Sequence, residues 1–345
     1  IIARHRWSTA HAYKGIFGLA AALYALIVLG IVYGLRFSNY ALAAGLASED
    51  TAIFEQAFWN TTHANGLLVS TLEGGSHLAV HNSPFLVVLA GGYILFPGTL
   101  YLFSTQTLAV LVSGWALYTI TRKNIPALPA LMLAMAFLLH PLTLANQFYF
   151  HETFFAAMFL LLSALFILEK HWARAIIAIG LLLTVSERSA LLVLGLAVVM
   201  WFSRAPRKWV LGSLALATVS LVSTPIVLNA FRTSETLAFS FFYFRHLGTT
   251  PGEMFNTLTG DPFKLFYPLA SESSSKFQLI YGLFAPLFFI LPFASIWILP
   301  ILPEAVFNLL ASGLNDLSWH YATILAGLYL STALALGKWF APRPL

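Results

Sequence analysis

The chain has no cysteine in 345 residues. That excludes disulfides, thiolate nucleophiles and cysteine metal clusters, and it leaves the redox compartment open. Charge is also scarce: Asp, Glu, Lys and Arg make up 9% of residues against 59% hydrophobic ones, and the mean hydropathy is +0.82. So few polar side chains cannot cover a water-soluble globule, so the composition predicts an integral membrane protein. Repeats with a period of roughly 20–50 residues are lacking too, as are low-complexity tracts. Residues 1–345 read as a single polytopic membrane domain. The net charge of +5 does not indicate nucleic acid, because the basic residues sit in small clusters at the ends of apolar runs.

What is present is mostly helix-forming hydrocarbon. Spanning a bilayer as helix takes about 20 apolar residues, and about ten segments qualify or nearly qualify: 16–35, 99–121, 126–146, 153–168, 173–186, 189–203, 208–230, 279–297, 298–311 and 321–337. The fold class expected is therefore all-α integral membrane, with the short segments pairing inside the protein. The run Ile16–Leu35 is too long for a signal h-region and is read as a retained span.

Lysine and arginine set the orientation. With the N-terminus inside, Arg4, Arg6, Lys14, Arg122, Lys123, Lys170, Arg174, Arg204, Arg207, Lys208, Lys338 and Arg343 all face the cytoplasm. Both termini are then cytoplasmic, and two large loops, about 36–98 and 231–278, face outside. Counting Pro84–Pro97 as a span would invert every later loop, so it is expected as a re-entrant or surface-lying helix. Residues 50–65 are expected as an interfacial helix, with Ile53, Phe54, Ala57 and Phe58 on one face.

Glu49 to Pro84 is a polar island in this hydrocarbon, and other polar residues collect at the same level. Glu49, Asp50, His77 and His81 lie in the first outer loop, His151-Glu152 and Glu187-Arg188 at the tips of two hairpins, and His320-Tyr321 at the head of the last span. Each has a purely structural alternative: Asp50 as a helix N-cap, Glu187 and Arg188 as turn residues paired elsewhere, His151 and His320 as histidines bonded to carbonyls. Ionisable groups from four separate loops at one depth favour a site. A carboxylate there is able to act as general base. Asp50, His81 and His151 are candidate ligands for a divalent cation, and Arg188, Arg232 or Arg245 are able to clamp a phosphate.

The order ED…FEQAFWN, HNSP with an LFP turn, FYFHE, VSERSALL and LPEAVFNLLAS…HYA, spread over about residues 36–335, resembles a family of uncharacterised prokaryotic multi-pass membrane proteins. That family in turn is similar to the GT-C glycosyltransferases, relatives of protein mannosyltransferases and of the aminoarabinose transferase that acts on lipid A. The resemblance implies transfer of a sugar from a polyprenyl-phosphate donor on the outer face. It also implies an essential acidic residue in the first outer loop, a place held here by Asp50 with Glu49 beside it. His81-Asn82-Ser83-Pro84 matches the segment that opens the second surface helix, and Glu187 the polar residue at a later tip. Two features depart from the pattern: Ser186-Glu187-Arg188 stands where a lysine more often precedes the acid, and no soluble domain is expected after the last span.

The expectation is a GT-C-like glycosyltransferase with Asp50 and Glu49 catalytic and His81, His151, Glu152, Glu187, Arg188, Arg245, His320 and Tyr321 lining the substrate pocket. Its partners would be membrane lipids and the polyprenyl-phosphate sugar. The alternative is a catalytically silent GT-C-derived subunit of a larger membrane complex, motivated by the compact chain and its 15% aromatic residues. A transporter fits least, because no charged relay runs through mid-span and no repeat symmetry is visible.

Overall fold

The apolar runs fold as helices, the arrangement that satisfies every backbone hydrogen bond without water. The computed structural model describes residues 2–36, 49–234, 243–314 and 318–340. In chain order its main helices are α1 (Ile2–Arg36), α2 (Glu49–Thr62), α3 (Phe85–Tyr93), α4 (Thr99–Arg122), α5 (Ala127–Leu138), α6 (Pro141–Ala145), α7 (Thr153–Leu168), α8 (Trp172–Leu183), α9 (Ser189–Phe202) and α10 (Arg207–Phe231). These are followed by α11 (Pro251–Gly260), α12 (Tyr267–Ser271), α13 (Ser273–Phe284), α14 (Leu302–Leu310) and α15 (Ala322–Phe340).

Among the described residues, four stretches are long and apolar enough to cross a membrane: Ala12–Val32, Thr99–Arg122, Arg207–Phe231 and Trp319–Phe340. A fifth is added if α5 and the segment Pro141–Phe148, bent by 45°, count as one. The bend has a cause in the sequence. Pro141 cannot continue the ladder of α5, and the His140 ring caps the new start by accepting from the Leu142 amide at 3.1 Å. The remaining apolar helices α7, α8 and α9 have 16, 12 and 14 residues.

One expected span is not a single helix. Over 279–297, α13 ends at Phe284 and the chain continues as short 3-10 turns, Ala285–Leu287 and Leu291–Ala294, with a third at Ile296–Ile301 leading into α14. Pro286, Pro292 and Pro300 each remove a backbone donor, which breaks α-helix into turns.

The last span is central, with 72% of its apolar window buried, whereas the windows of α1 and α10 are each 22% buried and lie at the periphery. The segment Ile296–Ile301 packs against α9 at Gly195, where an added Cβ would collide with the Pro300 backbone.

Both helices expected between residues 50 and 97 are present. Helix α2 buries Phe54, Ala57 and Phe58 while Trp59 stays exposed. A two-residue hairpin pairs Val69 with Ser76 and Ser70 with Gly75. Helix α3 has nine residues, too few to span, and starts where the Phe85 amide donates to the Thr184 carbonyl at the end of α8.

Candidate functional site

Three tethers bring the polar loops together. The Thr51 hydroxyl, buried in the first turn of α2, accepts from the Phe150 amide at 3.2 Å. Buried Gln106 on α4 accepts from the His151 amide at 2.7 Å and donates to the carbonyls of Asn146 and Tyr149. Glu187, at the tip between α8 and α9, holds the segment before α3: its Oε1 lies 3.0 Å from His81 Nδ1 and its Oε2 accepts from the Asn82 amide at 3.1 Å.

The result is a small cleft of about 110 Å³ lined by Asp50, Glu73, His77, His81, His151 and Tyr243, with Ile53, Phe54, Val80 and Trp319 as its apolar walls. Asp50 has helical backbone one residue into α2 and so is past the cap position; it is half-buried. An anion in the first turn of a helix is favoured by the helix dipole.

The electrostatics of the cleft are sorted by partner. Burial by itself would lower the His81 pKa, but the Glu187 carboxylate outweighs it and raises the pKa to about 9. Burial would likewise raise Glu187, and the positive His81 with its hydrogen bond outweighs this and holds the carboxyl at about 2. The two therefore form an ion pair at neutral pH. His151 goes the other way: burial, reinforced by neighbouring positive groups, puts it well below the usual imidazole range, so the ring is neutral. Burial raises the Glu152 carboxyl above its ordinary value. His151 Nδ1 stands 3.1 Å from Glu152 Oε2, off the line of a hydrogen bond, and that oxygen is left without a partner.

The aromatic wall is a sandwich. The Trp319 indole stacks on the His151 ring at 3.4 Å between centroids and, on its other side, on His320 at 3.4 Å. His320 Nε2 meets the Tyr243 hydroxyl at 3.0 Å and its Nδ1 meets the Ser318 hydroxyl at 3.0 Å. Arg188 reaches the Asn308 side-chain oxygen on α14 at 3.4 Å, and Asn308 donates to the His320 carbonyl at 2.9 Å.

Of the residues expected from sequence, Asp50, His81 and His151 line the cleft, with Glu152 and Glu187 bonded or adjacent to that lining and His320 behind Trp319. Arg188, half-buried, is bonded to the chain that carries His320. Tyr321 points away and donates to the Leu314 carbonyl at 2.8 Å, a scaffold contact. Arg245 is exposed and is not a lining residue, although its neighbour Tyr243 is. The Glu49 side chain lies outside the described residues. Among the described residues, no group of three or more His, Asp or Glu side chains is placed to hold a metal ion.

Sequence reasoning missed the Trp319 sandwich, Tyr243 and the buried pair Glu73–His77, in which His77 Nδ1 is 2.8 Å from Glu73 Oε1. The i, i+4 spacing of Glu73 and His77 was the available signal for the last.

The fold has a solved counterpart. The crystal structure of ArnT from Cupriavidus metallidurans bound to undecaprenyl phosphate is similar to this chain with a TM-score of 0.59 and 15% sequence identity, covering 95% of this chain and 60% of that one. The chain thus spans 60% of the length of that protein, and the likeness establishes a GT-C-like fold. No curated protein matches the sequence. Over residues 45–340 the sequence fits the profile of one family, and the chain belongs to it: Predicted membrane protein (DUF2079).

Proposed function

We propose that the cleft is the substrate site of a membrane glycosyltransferase that moves a sugar from a polyprenyl-phosphate donor to an acceptor on the outer face, with both termini cytoplasmic. The observation that carries the reading is the juxtaposition, in one cleft of a GT-C-like fold, of the half-buried Asp50 carboxylate with a cationic His81. Arg188, beside Glu187 at the α8–α9 tip, is bonded to Asn308, which holds the His320 carbonyl. The fold neighbour is a protein bound to undecaprenyl phosphate, which makes a lipid-linked phosphate the donor class to test first.

In this reading Asp50 takes the proton of the acceptor hydroxyl as its oxygen attacks the anomeric carbon. The bond from that carbon to the phosphate oxygen breaks, and the polyprenyl phosphate leaves with the electron pair. His81 and Arg188 stabilise the negative charge gathering on it. The neutral His151 ring, backed by the Trp319 indole, supplies an apolar wall for a sugar to pack on.

One observation favours a second reading. A cleft of about 110 Å³ is below the usual volume of a ligand site, roughly 300–1,000 Å³, as expected of an inherited fold serving as a structural subunit. The test is transfer from a radiolabelled polyprenyl-phosphate sugar in vesicles, comparing the protein with Asp50→Asn. Loss of transfer by about 100-fold or more supports the enzyme. Equal turnover in both, or no transfer with stoichiometric co-purification of other subunits, sinks it.

A further inference from the structure

A second concavity, which shares no lining residue with the cleft, lies between α1 and the bend that joins α5 to α6. It encloses about 520 Å³ and is walled by aliphatic side chains such as Ile27, Val28 and Met135. Leu23, Ile27 and Leu139 on its walls are about half exposed or more (50%, 58% and 53%), so the groove opens toward the hydrocarbon that surrounds α1.

Two polar groups interrupt this wall. Tyr24 and Gln147 both line the groove, and the Tyr24 hydroxyl and the Gln147 amide nitrogen are buried atoms without a hydrogen-bond partner. Tyr24 is 5% exposed and Gln147 2%. The other end of the Gln147 amide accepts from the Thr107 hydroxyl at 3.2 Å. Whichever way that amide is turned, one of its two ends is left unpaired. Buried polar groups are paired in nearly all native structures, so two orphans in one apolar groove indicate a bound group that brings its own polar atom.

The depth of Tyr24 limits what that atom is. It lies eight residues from one end of the span Ala12–Val32 and twelve from the other, so at helical rise it is at least about 12 Å from either end. A charged phosphate is costly at that depth, whereas a carbonyl or hydroxyl oxygen is not. We propose that the groove binds a neutral, single-chain membrane lipid whose carbonyl or hydroxyl oxygen meets Tyr24 and Gln147 while its chain fills the aliphatic walls. This site does not depend on the glycosyltransferase reading.

The experiment uses the full chain in phosphatidylethanolamine–phosphatidylglycerol vesicles containing a diazirine-bearing hexadecanol. After irradiation, labelled peptides are mapped by mass spectrometry, with the exposed lipid-facing side of α10 around Val219 and Ile226 as internal reference. The expected result is label concentrated on residues 20–31 and 135–148. That excess over α10 should drop about fivefold, one neutral hydrogen bond's worth, in Tyr24→Phe/Gln147→Leu and for a diazirine alkane lacking the hydroxyl. Ala20→Trp, which fills the groove, should remove it. Equal labelling of groove and α10, or an excess indifferent to the probe's hydroxyl, overturns the proposal; the probe comparison reads this in the unaltered protein.

Discussion

His81 and Glu187 stand 3.0 Å apart although 106 residues separate them. One carboxylate thereby joins the segment before α3 to the α8–α9 tip, and its second oxygen fixes the backbone of Asn82 at the same time. The pair sets the charge of the cleft and the position of the loop in a single contact, so its loss should register in both.

The pair predicts a pH window for stability. His81 is raised from 6.5 to about 9, so its contribution is complete below pH 6.5 and fades as pH rises through about 9. Glu187 is lowered from 4.5 to about 2, so its contribution is complete above pH 4.5 and fades as pH falls toward about 2. The gap in melting temperature between the protein and Glu187→Gln should be widest between pH 4.5 and 6.5 and narrow on both sides. Scanning fluorimetry across that range reads it, and a gap that widens above pH 8 would contradict the assignment.

Trp319 tests the aromatic wall. Because it stacks on both His151 and His320, Trp319→Ala removes the wall and frees two rings, whereas Trp319→Phe keeps a flat face. Under the glycosyltransferase reading, KM for the lipid-linked sugar should rise about tenfold in the alanine variant and only slightly in the phenylalanine one. Equal values for both variants would mean that no ring face meets the sugar.

The sequence made part of the cleft legible. Ionisable residues are expensive in hydrocarbon, so Asp50, His81, His151 and Glu187 stand out between apolar runs, and turn residues place each at a loop. It could not make the walls legible. Nothing in the sequence sets Trp319 apart from the chain's other aromatics, and only the tertiary fold turns its two faces onto histidines from different loops. Tyr321 and Arg245 fail as cleft residues for a similar reason: position in a loop does not fix which way a side chain points. The span expected over 279–297 fails differently, because hydropathy registers the apolar content of the stretch and overlooks what Pro286 and Pro292 do to its hydrogen bonds.

Lys276 falls in the second outer loop expected from the sequence, yet its side chain is 3% exposed. Its ammonium donates to the carbonyls of Asn308, Ala311 and Leu314 at 3.2, 2.7 and 3.0 Å. It therefore ties down the chain that leads from α14 toward Trp319. Lys276→Met keeps the stem and takes a donor from three carbonyls, of which Leu314 keeps the Tyr321 hydroxyl; the loss should cost about 3 kcal/mol. Lys276→Arg should not restore it, because a flat guanidinium cannot point three donors as an ammonium does. Thermal unfolding in detergent measures both, and a methionine variant within about 0.5 kcal/mol of the parent would show the ammonium to be dispensable.

Gly195 is the sharpest test of how the broken segment packs. A Cβ there would collide with Pro300 Cα and lie 2.7 Å from the Leu299 carbonyl oxygen and 2.9 Å from Pro300 N, all of them backbone atoms that no rotamer change can move. Gly180 on α8 has nothing within 4 Å of the same position. Alanine favours helix over glycine by roughly 1 kcal/mol, so Gly180→Ala should be neutral or stabilising. Gly195→Ala should instead lose about 2 kcal/mol or more, since α9 and the 296–301 turn must separate to admit the methyl group. The separation would also draw α14, with Asn308, away from Arg188, so the variant should lose cleft function in step with stability. If Gly195→Ala melts with the parent while Gly180→Ala does too, the close approach of these two elements is not part of the folded protein.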